Sequence, residues 1–403
     1  MVHAEQEQSG GHGVERAGVP DLAGTGEAAG ACHDVVARDP LRLVDEEDAA
    51  VHAVQANSRG GPARRGADPY AGMVRIGIIG AGALGGTFAA LLTRAGHEVE
   101  VAARGAGLEA IRADGIRLSG GYGETHARVA AAEVLTVRPD LLLVCTKAQD
   151  AAAAIEANAA VVDGAPVVVV QNGLEGVATA ERLLPHSSCM GLLSIIAANY
   201  TEPGVVRVTT PATSYLGRGD GPPDEESRRT AALLSEAVPV VAISGFRGAQ
   251  WTKLIVNMLN AVPAIVGRSV QDVVDDRRLR RVVAASMREA VRVGIARGIR
   301  FGSLQGLGDR RLRLFARLPL SLGQFLPWLM RLRMGNVPNL GSTQQSLRRG
   351  QPTEVDFLNG AVVREASAAG LTAPVNSALT ALVHDVEASG HLPAARVIAA
   401  VPV

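Results

Sequence analysis

The sequence predicts an α/β protein, with a doubly wound parallel sheet in its N-terminal part and an all-helical C-terminal domain. Three observations support this fold class. From Met73 onward, apolar runs typical of strands alternate with helix-like segments. Residues 140–146 (DLLLVCT) form a near-continuous apolar run, which is typical of a strand covered on both faces. After about Ser244, apolar residues recur at helical spacing instead.

The strands and helices follow in a regular order. Strands are predicted at residues 74–79, 98–102, 115–119, 126–130, 140–146 and 166–171. Further strand-like segments at 189–197 and 205–210 are expected to extend the edge of the same sheet. Helices at 84–95, 108–113 and 148–160 connect the strands, which favours right-handed crossovers and a parallel sheet. The C-terminal helices are predicted at 251–264, 277–297, 358–369 and 372–389.

The chain divides into three parts by composition. Residues 1–72 are rich in Gly and Ala and show no sustained period, so we expect a disordered or mis-annotated N-terminal extension. An α/β domain is expected at 73–244 and a helical domain at 245–403. Within the latter, an Arg- and Leu-rich insertion near 310–334 predicts a helical flap or a homodimer contact, with a membrane-surface helix as the alternative.

Composition excludes several function classes. The formal net charge is zero, and no basic stripe is interleaved with aromatic residues, which argues against a nucleic-acid binder. The three cysteines are widely spaced, and no metal-ligand spacing occurs, so neither a disulfide framework nor a metal site is expected. No apolar stretch is long enough to span a membrane, and the first residues lack the pattern of a secretory signal. A reduced, cytoplasmic setting is expected.

Lysine is almost absent from this chain. Of 40 basic residues, 38 are arginine, and only Lys147 and Lys253 are lysine. An ammonium group can release its proton at an accessible pH, whereas a guanidinium stays protonated. The two lysines are therefore candidates for lysine-specific chemistry, although on composition alone they could equally be chance survivors.

A glycine-rich motif follows the first predicted strand and opens the first predicted helix. It consists of Gly80, Ala81, Gly82, Ala83, Leu84 and Gly85. In a GxGxxG motif of this kind, the glycines permit a tight turn, a close approach of the backbone to a pyrophosphate, and close packing of the helix on the strand. The helix N-terminus presents N–H groups to the phosphates. The motif, in this position, predicts a Rossmann-type dinucleotide site.

Three polar residues follow the predicted strands at their carboxyl ends, where ligands bind in open α/β sheets. Arg104 follows the second strand, where an acidic residue would favour NAD; a cation there favours NADP(H), unless it is a solvated loop arginine. Lys147 follows residues 140–146. Asn172 lies in an Asn-Gly dipeptide, which is also an ordinary turn signal.

These pieces resemble the ketopantoate reductase (2-dehydropantoate 2-reductase) family. The resemblance rests on GAGALG, the AAR that contains Arg104, TKAQD, QNG, WTKLIVN and PTEVDFLNG, in this order between residue 73 and about residue 390. It implies NADPH-dependent reduction of a 2-keto acid, with the active site in the cleft between a Rossmann domain and a helical domain. For ketopantoate, the product is pantoate, on the route to pantothenate and coenzyme A.

The resemblance also implies roles for individual residues. Lys253 and Glu354 match the family's catalytic lysine and glutamate, and Asn257 matches an asparagine one helical turn from that lysine. Ser342 falls where a serine holds the substrate carboxylate. Asn172 is expected near the nicotinamide, with Arg104 and Lys147 towards the adenosine phosphate.

The chain departs from the family on the substrate side. A second asparagine is usual eight residues after the catalytic lysine, where this chain has Ala261. Seven and eight residues both return to nearly the same face of a helix, so Asn260 is expected to substitute imperfectly. The serine segment, GSTQQSLRRGQ, matches loosely. Two alternatives therefore stay open: a paralogous reductase of another branched 2-keto acid or related carbonyl compound, and a non-catalytic NADPH-binding sensor.

Overall fold

The computed structural model describes residues 70, 72–304, 306–335 and 338–403. The predicted fold class is confirmed: an N-terminal α/β region is followed by helices. The prediction for residues 1–72 lies almost wholly outside the described residues.

The main sheet of the described chain has eight strands. In chain order they are β1 (Arg75–Ile79), β2 (Glu98–Ala102), β5 (Ala130–Ala132), β6 (Leu141–Val144), β7 (Val167–Val169), β8 (Cys189–Leu193), β11 (Ser214–Gly217) and β12 (Val240–Ala242), numbered together with the second sheet described below. Their spatial order is β12-β11-β8-β7-β6-β1-β2-β5. The six neighbouring strands β5, β2, β1, β6, β7 and β8 are parallel to one another, and β11 pairs with β8 in the antiparallel sense. β6 is buried throughout, as its uniform apolar sequence predicts.

Five helices accompany these strands. They are α1 (Ala83–Arg94), α2 (Gly105–Asp114), α3 (Ala148–Val162), α4 (Gly176–Leu183) and α5 (Glu225–Leu234). Helix α1 contains Gly85, Gly86 and a run of buried apolar residues from Phe88 to Leu92, and it packs against both β1 and β2. Small residues at its start allow the close approach that its Leu and Phe side chains then fill.

A second sheet corrects one prediction. Its four strands are β3 (Ile116–Gly120), β4 (Thr125–Ala127), β9 (Ala197–Glu202) and β10 (Val205–Thr210), in the order β4-β3-β10-β9. The expectation that residues 205–210 extend the main sheet was wrong. Val206 and Val208 of β10 are buried in the same apolar core as α1, against which this sheet packs. The segment predicted as one strand at 126–130 is likewise divided between the two sheets.

The remainder of the chain is helical. Its α-helices are α6 (Phe246–Asn257), α7 (Ala261–Val266), α8 (Val270–Asp275), α9 (Arg277–Ala296), α10 (Asp309–Arg317), α11 (Leu320–Gly323), α12 (Phe325–Arg333), α13 (Gly341–Arg348), α14 (Asn359–Ala368), α15 (Pro374–Ser389) and α16 (Ala394–Ala400). A short 3₁₀ turn, Val355–Phe357, precedes α14. Helix α9 is the centre of this region, because α6, α8, α14 and α15 as well as α10 to α12 pack against it.

The helix predicted at 251–264 is broken in the structure. Helix α6 ends at Asn257, and α7 starts at Ala261. Pro263 explains the break, since proline in a continuous helix removes a hydrogen bond and clashes with the carbonyl four residues earlier. The argument that Asn260 lies on the same face of one helix as Lys253 was therefore wrong.

The segment expected to be an insertion, residues 310–334, corresponds to α10, α11 and α12. Its buried side chains, among them Leu312, Phe315 and Leu320, belong to the core of the helical region. Across the described residues, no helix combines the length and the apolarity that crossing a bilayer would need.

Candidate functional site

The glycine turn lies where the direction of strand addition reverses. β1 is flanked by β2 on one side and by β6 on the other, so the carboxyl ends of β1 and β6 border a crevice. Gly80 follows β1 and Lys147 comes three residues after β6. This strand order therefore places Gly80 and Lys147 at the carboxyl edge of the sheet, as the sequence predicted.

Each glycine of the turn has a distinct environment. Gly80 has a positive φ of 96°, and a Cβ there would lie 2.8 Å from the Thr146 backbone nitrogen. A Cβ on Gly85 would lie 1.9 Å from the Gly80 carbonyl oxygen, so Gly85 permits the contact between helix and strand. Gly82, at the start of α1, would have no protein atom within 4 Å of an added Cβ. Gly82 therefore leaves open space at the helix N-terminus, as a phosphate-binding turn requires.

A cleft of about 700 Å³ opens beside this turn. Most of the residues predicted for the site line it. They are Gly80, Ala81, Gly82, Ala83, Leu84, Arg104, Lys147, Asn172, Ser342 and Glu354. Gly85 lies beneath the turn, and Lys253, Asn257 and Asn260 are outside this lining. The cleft is therefore formed by the α/β region together with α13 and the loop that follows it.

Arg104 lies at the mouth of the cleft. It precedes α2, and its side chain is 74% exposed, with one guanidinium nitrogen 3.9 Å from an Asp150 carboxylate oxygen. A separation this long in solvent leaves the guanidinium available to an anionic ligand.

Lys147 joins the α/β region to the loop that contains Glu354. Its ammonium donates to the Pro352 carbonyl at 2.7 Å and to the Ser346 hydroxyl at 3.2 Å. Burial lowers the pKa of Lys147, while the charge of Glu354 acts in the opposite direction. Its side chain thus holds a backbone carbonyl as well as facing the cleft, and a role at the adenosine phosphate stays a prediction.

Glu354 is partly buried and lies at the N-terminus of α3. Its Oε1 accepts a hydrogen bond from the Ala148 backbone N–H at 3.2 Å. Burial raises the pKa of the Glu354 carboxyl, although that hydrogen bond, the charge of Lys147 and a hydrogen bond with Asn172 lower it. Lys147 is therefore the cation whose charge lowers the pKa of Glu354, and the pKa of Lys253 is shifted by burial instead.

A chain of side chains connects the cleft to helix α6. The Asn257 amide donates to Asn172 Oδ1 at 3.4 Å, and Asn172 lies close enough to Glu354 to lower the pKa of its carboxyl. The structure thus brings together Glu354, Asn172 and Asn257, three residues that are far apart in sequence.

Lys253 lies one helical turn before Asn257 on α6 and therefore on the same face. Its side chain is partly buried and, within the described chain, has no hydrogen-bond or ion-pair partner. Burial lowers the pKa of Lys253 to about 8. An ammonium with this pKa is a competent proton donor near neutral pH.

Asn260 and Ser342 meet on the other side of the α6–α7 break. The Asn260 amide lies 3.3 Å from the Ser342 hydroxyl. Gly341 packs closely here, because a Cβ on it would approach Asn260 Oδ1 to 2.7 Å. The two predicted substrate-binding residues are thus neighbours despite being 82 positions apart.

Sequence reasoning missed several residues of the cleft. Arg349, Gln345 and Gln351 reach it from α13 and the following loop, and Tyr200 reaches it from β9. Arg349 is close enough to Lys147 to lower the pKa of that lysine. With 38 arginines in the chain, position alone gave no signal for Arg349, because its location depends on how α13 folds over the sheet.

Two family models match the chain in consecutive segments. The model "Ketopantoate reductase PanE/ApbA" matches residues 76–221, and "Ketopantoate reductase PanE/ApbA C terminal" matches residues 245–387. The first covers the glycine turn and most of the two sheets. The second contains α6, α13 and the loop with Glu354.

Individual relatives and solved structures agree with these matches. A 2-dehydropantoate 2-reductase of Archaeoglobus fulgidus is 30% identical over 319 residues, which are 78% of this chain and 98% of that protein. A PanE/ApbA family ketopantoate reductase from Ralstonia eutropha superposes with a TM-score of 0.67 at 30% identity, covering 78% of this chain and 99% of the other. The fold is also that of a D-mandelate dehydrogenase solved with NADH, at 20% identity and a TM-score of 0.65 over 78% of this chain and 99% of that one.

Proposed function

Because the chain belongs to the ketopantoate reductase PanE/ApbA family of oxidoreductases, we propose that it reduces 2-dehydropantoate to pantoate with NADPH. The observation that supports this most is the series of neighbouring side chains Glu354, Asn172 and Asn257. It runs from the glycine-turn cleft to a point one helical turn from Lys253, whose pKa burial lowers to about 8. In the enzyme, pantoate should form in equal amounts to the NADPH oxidised; NADPH loss without pantoate would reject the assignment.

The cleft residues fit a nicotinamide dinucleotide. Gly82 provides open space beside the N-terminus of α1, where backbone N–H groups attract phosphate oxygens. Arg104 supplies a cation after β2, and Lys147 and Arg349 add positive charge to the same cleft. When bound, the cofactor would supply a hydride to the keto carbon. The lining also contains Glu133, Asp150 and Glu354, so the preference for NADPH over NADH rests on Arg104, whose guanidinium would pair well with the extra phosphate.

Lys253 acts as the general acid in this proposal. A keto oxygen that gains negative charge during reduction needs a proton, and positioned proton transfer contributes about 10²–10⁴-fold to the rate. Asn257, one turn away, shares the face of α6 and orients the lysine and the substrate oxygen. Asn257 is itself held by Asn172, which neighbours Glu354. Glu354 therefore acts on Lys253 through the two asparagines.

Ser342 and Asn260 bind the substrate carboxylate in this proposal. The Ser342 hydroxyl and the Asn260 amide both have donor hydrogens, and their separation of 3.3 Å allows them to serve one carboxylate. Ser342 lines the cleft, so a carboxylate held there lies in the same cavity as the nicotinamide dinucleotide. The region from residue 245 onward would thus provide the substrate side and residues 73–244 the cofactor side.

Removal of the Arg104 cation should change cofactor preference. The intact enzyme should prefer NADPH over NADH by more than about tenfold, since a hydrogen bond to a charged group contributes about 1.5–3 kcal/mol. Arg104→Ala should narrow this gap mainly by raising the KM for NADPH, with little change in the KM for NADH. Steady-state kinetics with both cofactors measure this, and equal use of both by the intact enzyme would contradict the assignment.

The pKa of Lys253 predicts the pH dependence of reduction. Only the protonated ammonium can donate, and burial lowers its pKa from 10.5 to about 8. The donor form is therefore complete well below that value and is lost as pH rises through it. We expect kcat/KM for the keto acid to be constant on the acid side and to fall about tenfold per pH unit above about pH 8. A profile that stays flat to pH 10 would exclude Lys253 as the donor.

A further inference from the structure

Helices α10 to α12 expose an unusual amount of apolar surface. Eleven large hydrophobic side chains are exposed among the described residues, and six of them lie on these helices. They are Leu314, Leu322, Phe325, Trp328, Leu329 and Leu332. The last four fall at spacings of three, four and seven residues, which places them in one stripe along α12. Single exposed apolar residues are ordinary, but a contiguous stripe indicates a binding surface.

The opposite face of α12 is packed against the protein, so the helix already contributes to the core through other residues than those of the stripe. Pro327 is buried, and Leu326 and Met330 pack against the apolar core. Arg331 forms an ion pair with Asp275 of α8, with N–O distances of 3.2 Å. The helix is thus fixed to the protein through one face while the other presents Phe325 and Trp328, whose rings contact edge to face with centroids 6.2 Å apart.

The surrounding charge is strongly positive. Residues 277–333 contain 14 arginines and two acidic residues, in a chain whose formal net charge is zero. Both acidic residues are engaged: Glu289 accepts hydrogen bonds from Asn376, and Asp309 pairs with Arg313. Arg310 and Arg317 of α10 are exposed and have no hydrogen-bond or ion-pair partner in the described part of the chain.

The arginines of α9 border the same helices. Arg288 donates to the Leu318 carbonyl at the junction of α10 and α11, 3.1 Å away. Arg281 and Arg292 share its face of α9 and, after burial, are the charges that lower the pKa of Arg288. Positive charges from Arg281, Arg288 and Arg292 are therefore gathered at the edge of the apolar surface, and Glu289, whose pKa the charge of Arg292 lowers, balances only part of them.

An apolar stripe bordered by arginines fits one kind of partner better than the alternatives. An isologous contact with a second copy would bring two arginine-rich faces together, which like-charge repulsion opposes. A nucleic acid would satisfy the arginines and leave the leucines of α12 unmatched. An anionic lipid surface satisfies both, because interfacial helices place Trp, Phe and Leu at the acyl boundary and Arg among the headgroups. We propose that α10 to α12 bind this enzyme peripherally to a negatively charged lipid surface, with the apolar stripe of α12 inserted at the interface.

The two tryptophans of the chain provide a direct measurement. Trp251 is buried in the protein, whereas Trp328 is exposed on the stripe. The full chain should co-sediment with vesicles of phosphatidylglycerol and not with vesicles of phosphatidylcholine. The emission of Trp328 should shift to the blue and be quenched by brominated acyl chains, and Trp328→Phe should abolish that quenching. Binding should weaken as salt rises.

Matched variants distinguish binding through α10 to α12 from non-specific adsorption of the protein to vesicles. Phe325→Ser with Leu329→Ser, and Arg310→Gln with Arg317→Gln, should each weaken vesicle binding by at least about tenfold. Leu371→Ser and Arg207→Gln change an exposed apolar residue and an exposed arginine elsewhere and should leave it intact. All variants should keep the wild-type melting temperature. Failure of the wild-type chain to bind phosphatidylglycerol vesicles would overturn the proposal. It would also be overturned if the wild-type chain is a dimer, lipid does not change that dimer, and the Phe325→Ser, Leu329→Ser variant alone is a monomer.

Discussion

Replacement of Lys253 by either arginine or alanine should lower kcat by at least about 10²-fold. Arginine keeps the positive charge and can still attract a carboxylate, but its pKa leaves it unable to donate a proton readily. The lysine differs because burial lowers its pKa to about 8. The arginine variant is the informative one, since it removes proton donation and retains charge.

Cofactor binding provides the control for these variants. Lys253 does not line the cleft beside the glycine turn, so both variants should bind NADPH with an unchanged Kd, measured by fluorescence titration. Their melting temperatures confirm folding. A Lys253→Arg enzyme that turns over near the wild-type rate would show that the residue acts only through its charge.

Gly85→Ala should destabilise the protein strongly, whereas Gly82→Ala should not. A Cβ on Gly85 would lie 1.9 Å from the Gly80 carbonyl oxygen and 3.0 Å from Cys145 Cβ, so backbone must move. Overpacking of this kind costs about 1–3 kcal/mol or more. In an unstrained helix, alanine would instead gain about 0.5–1 kcal/mol over glycine, so any loss measured by denaturant unfolding reports the clash.

Gly82→Ala provides the matched comparison. Its added Cβ would meet no protein atom within 4 Å, and φ at this position is −76°, which alanine adopts freely. We expect an unchanged free energy of unfolding and a KM for NADPH raised at least about tenfold, because the methyl group occupies the space left for the pyrophosphate. Unchanged cofactor kinetics in Gly82→Ala would contradict the placement of the dinucleotide at this turn.

The sequence predicted the first βαβ unit closely because its signals are local. β1 and α1 were each predicted to within one residue at either end, since a glycine turn separates a buried apolar strand from a helical pattern. The error at residues 205–210 has the opposite cause. A strand's own residues specify that it is extended and half buried, but not which sheet it joins, and here Val206 and Val208 pack with α1 in the second sheet.

The candidate site was predictable where it follows strand ends and not where it depends on helix packing. Gly80 and Lys147 border the crevice because β1 and β6 are neighbours. The hydrogen bond between Asn260 and Ser342, by contrast, results from a helix break that the apolar pattern hid. Arg349 could not be singled out, because only the fold brings the end of α13 to the cleft.

Substrate choice tests the central claim most directly. NADPH oxidation by the full chain should be measured with 2-dehydropantoate and with a panel of other branched and unbranched 2-keto acids under identical conditions. The account predicts that kcat/KM is highest for 2-dehydropantoate and that turnover is lost in Lys253→Ala. A higher kcat/KM for another 2-keto acid would identify a paralogous reductase, and NADPH binding without oxidation by any of them would contradict the enzymatic reading altogether.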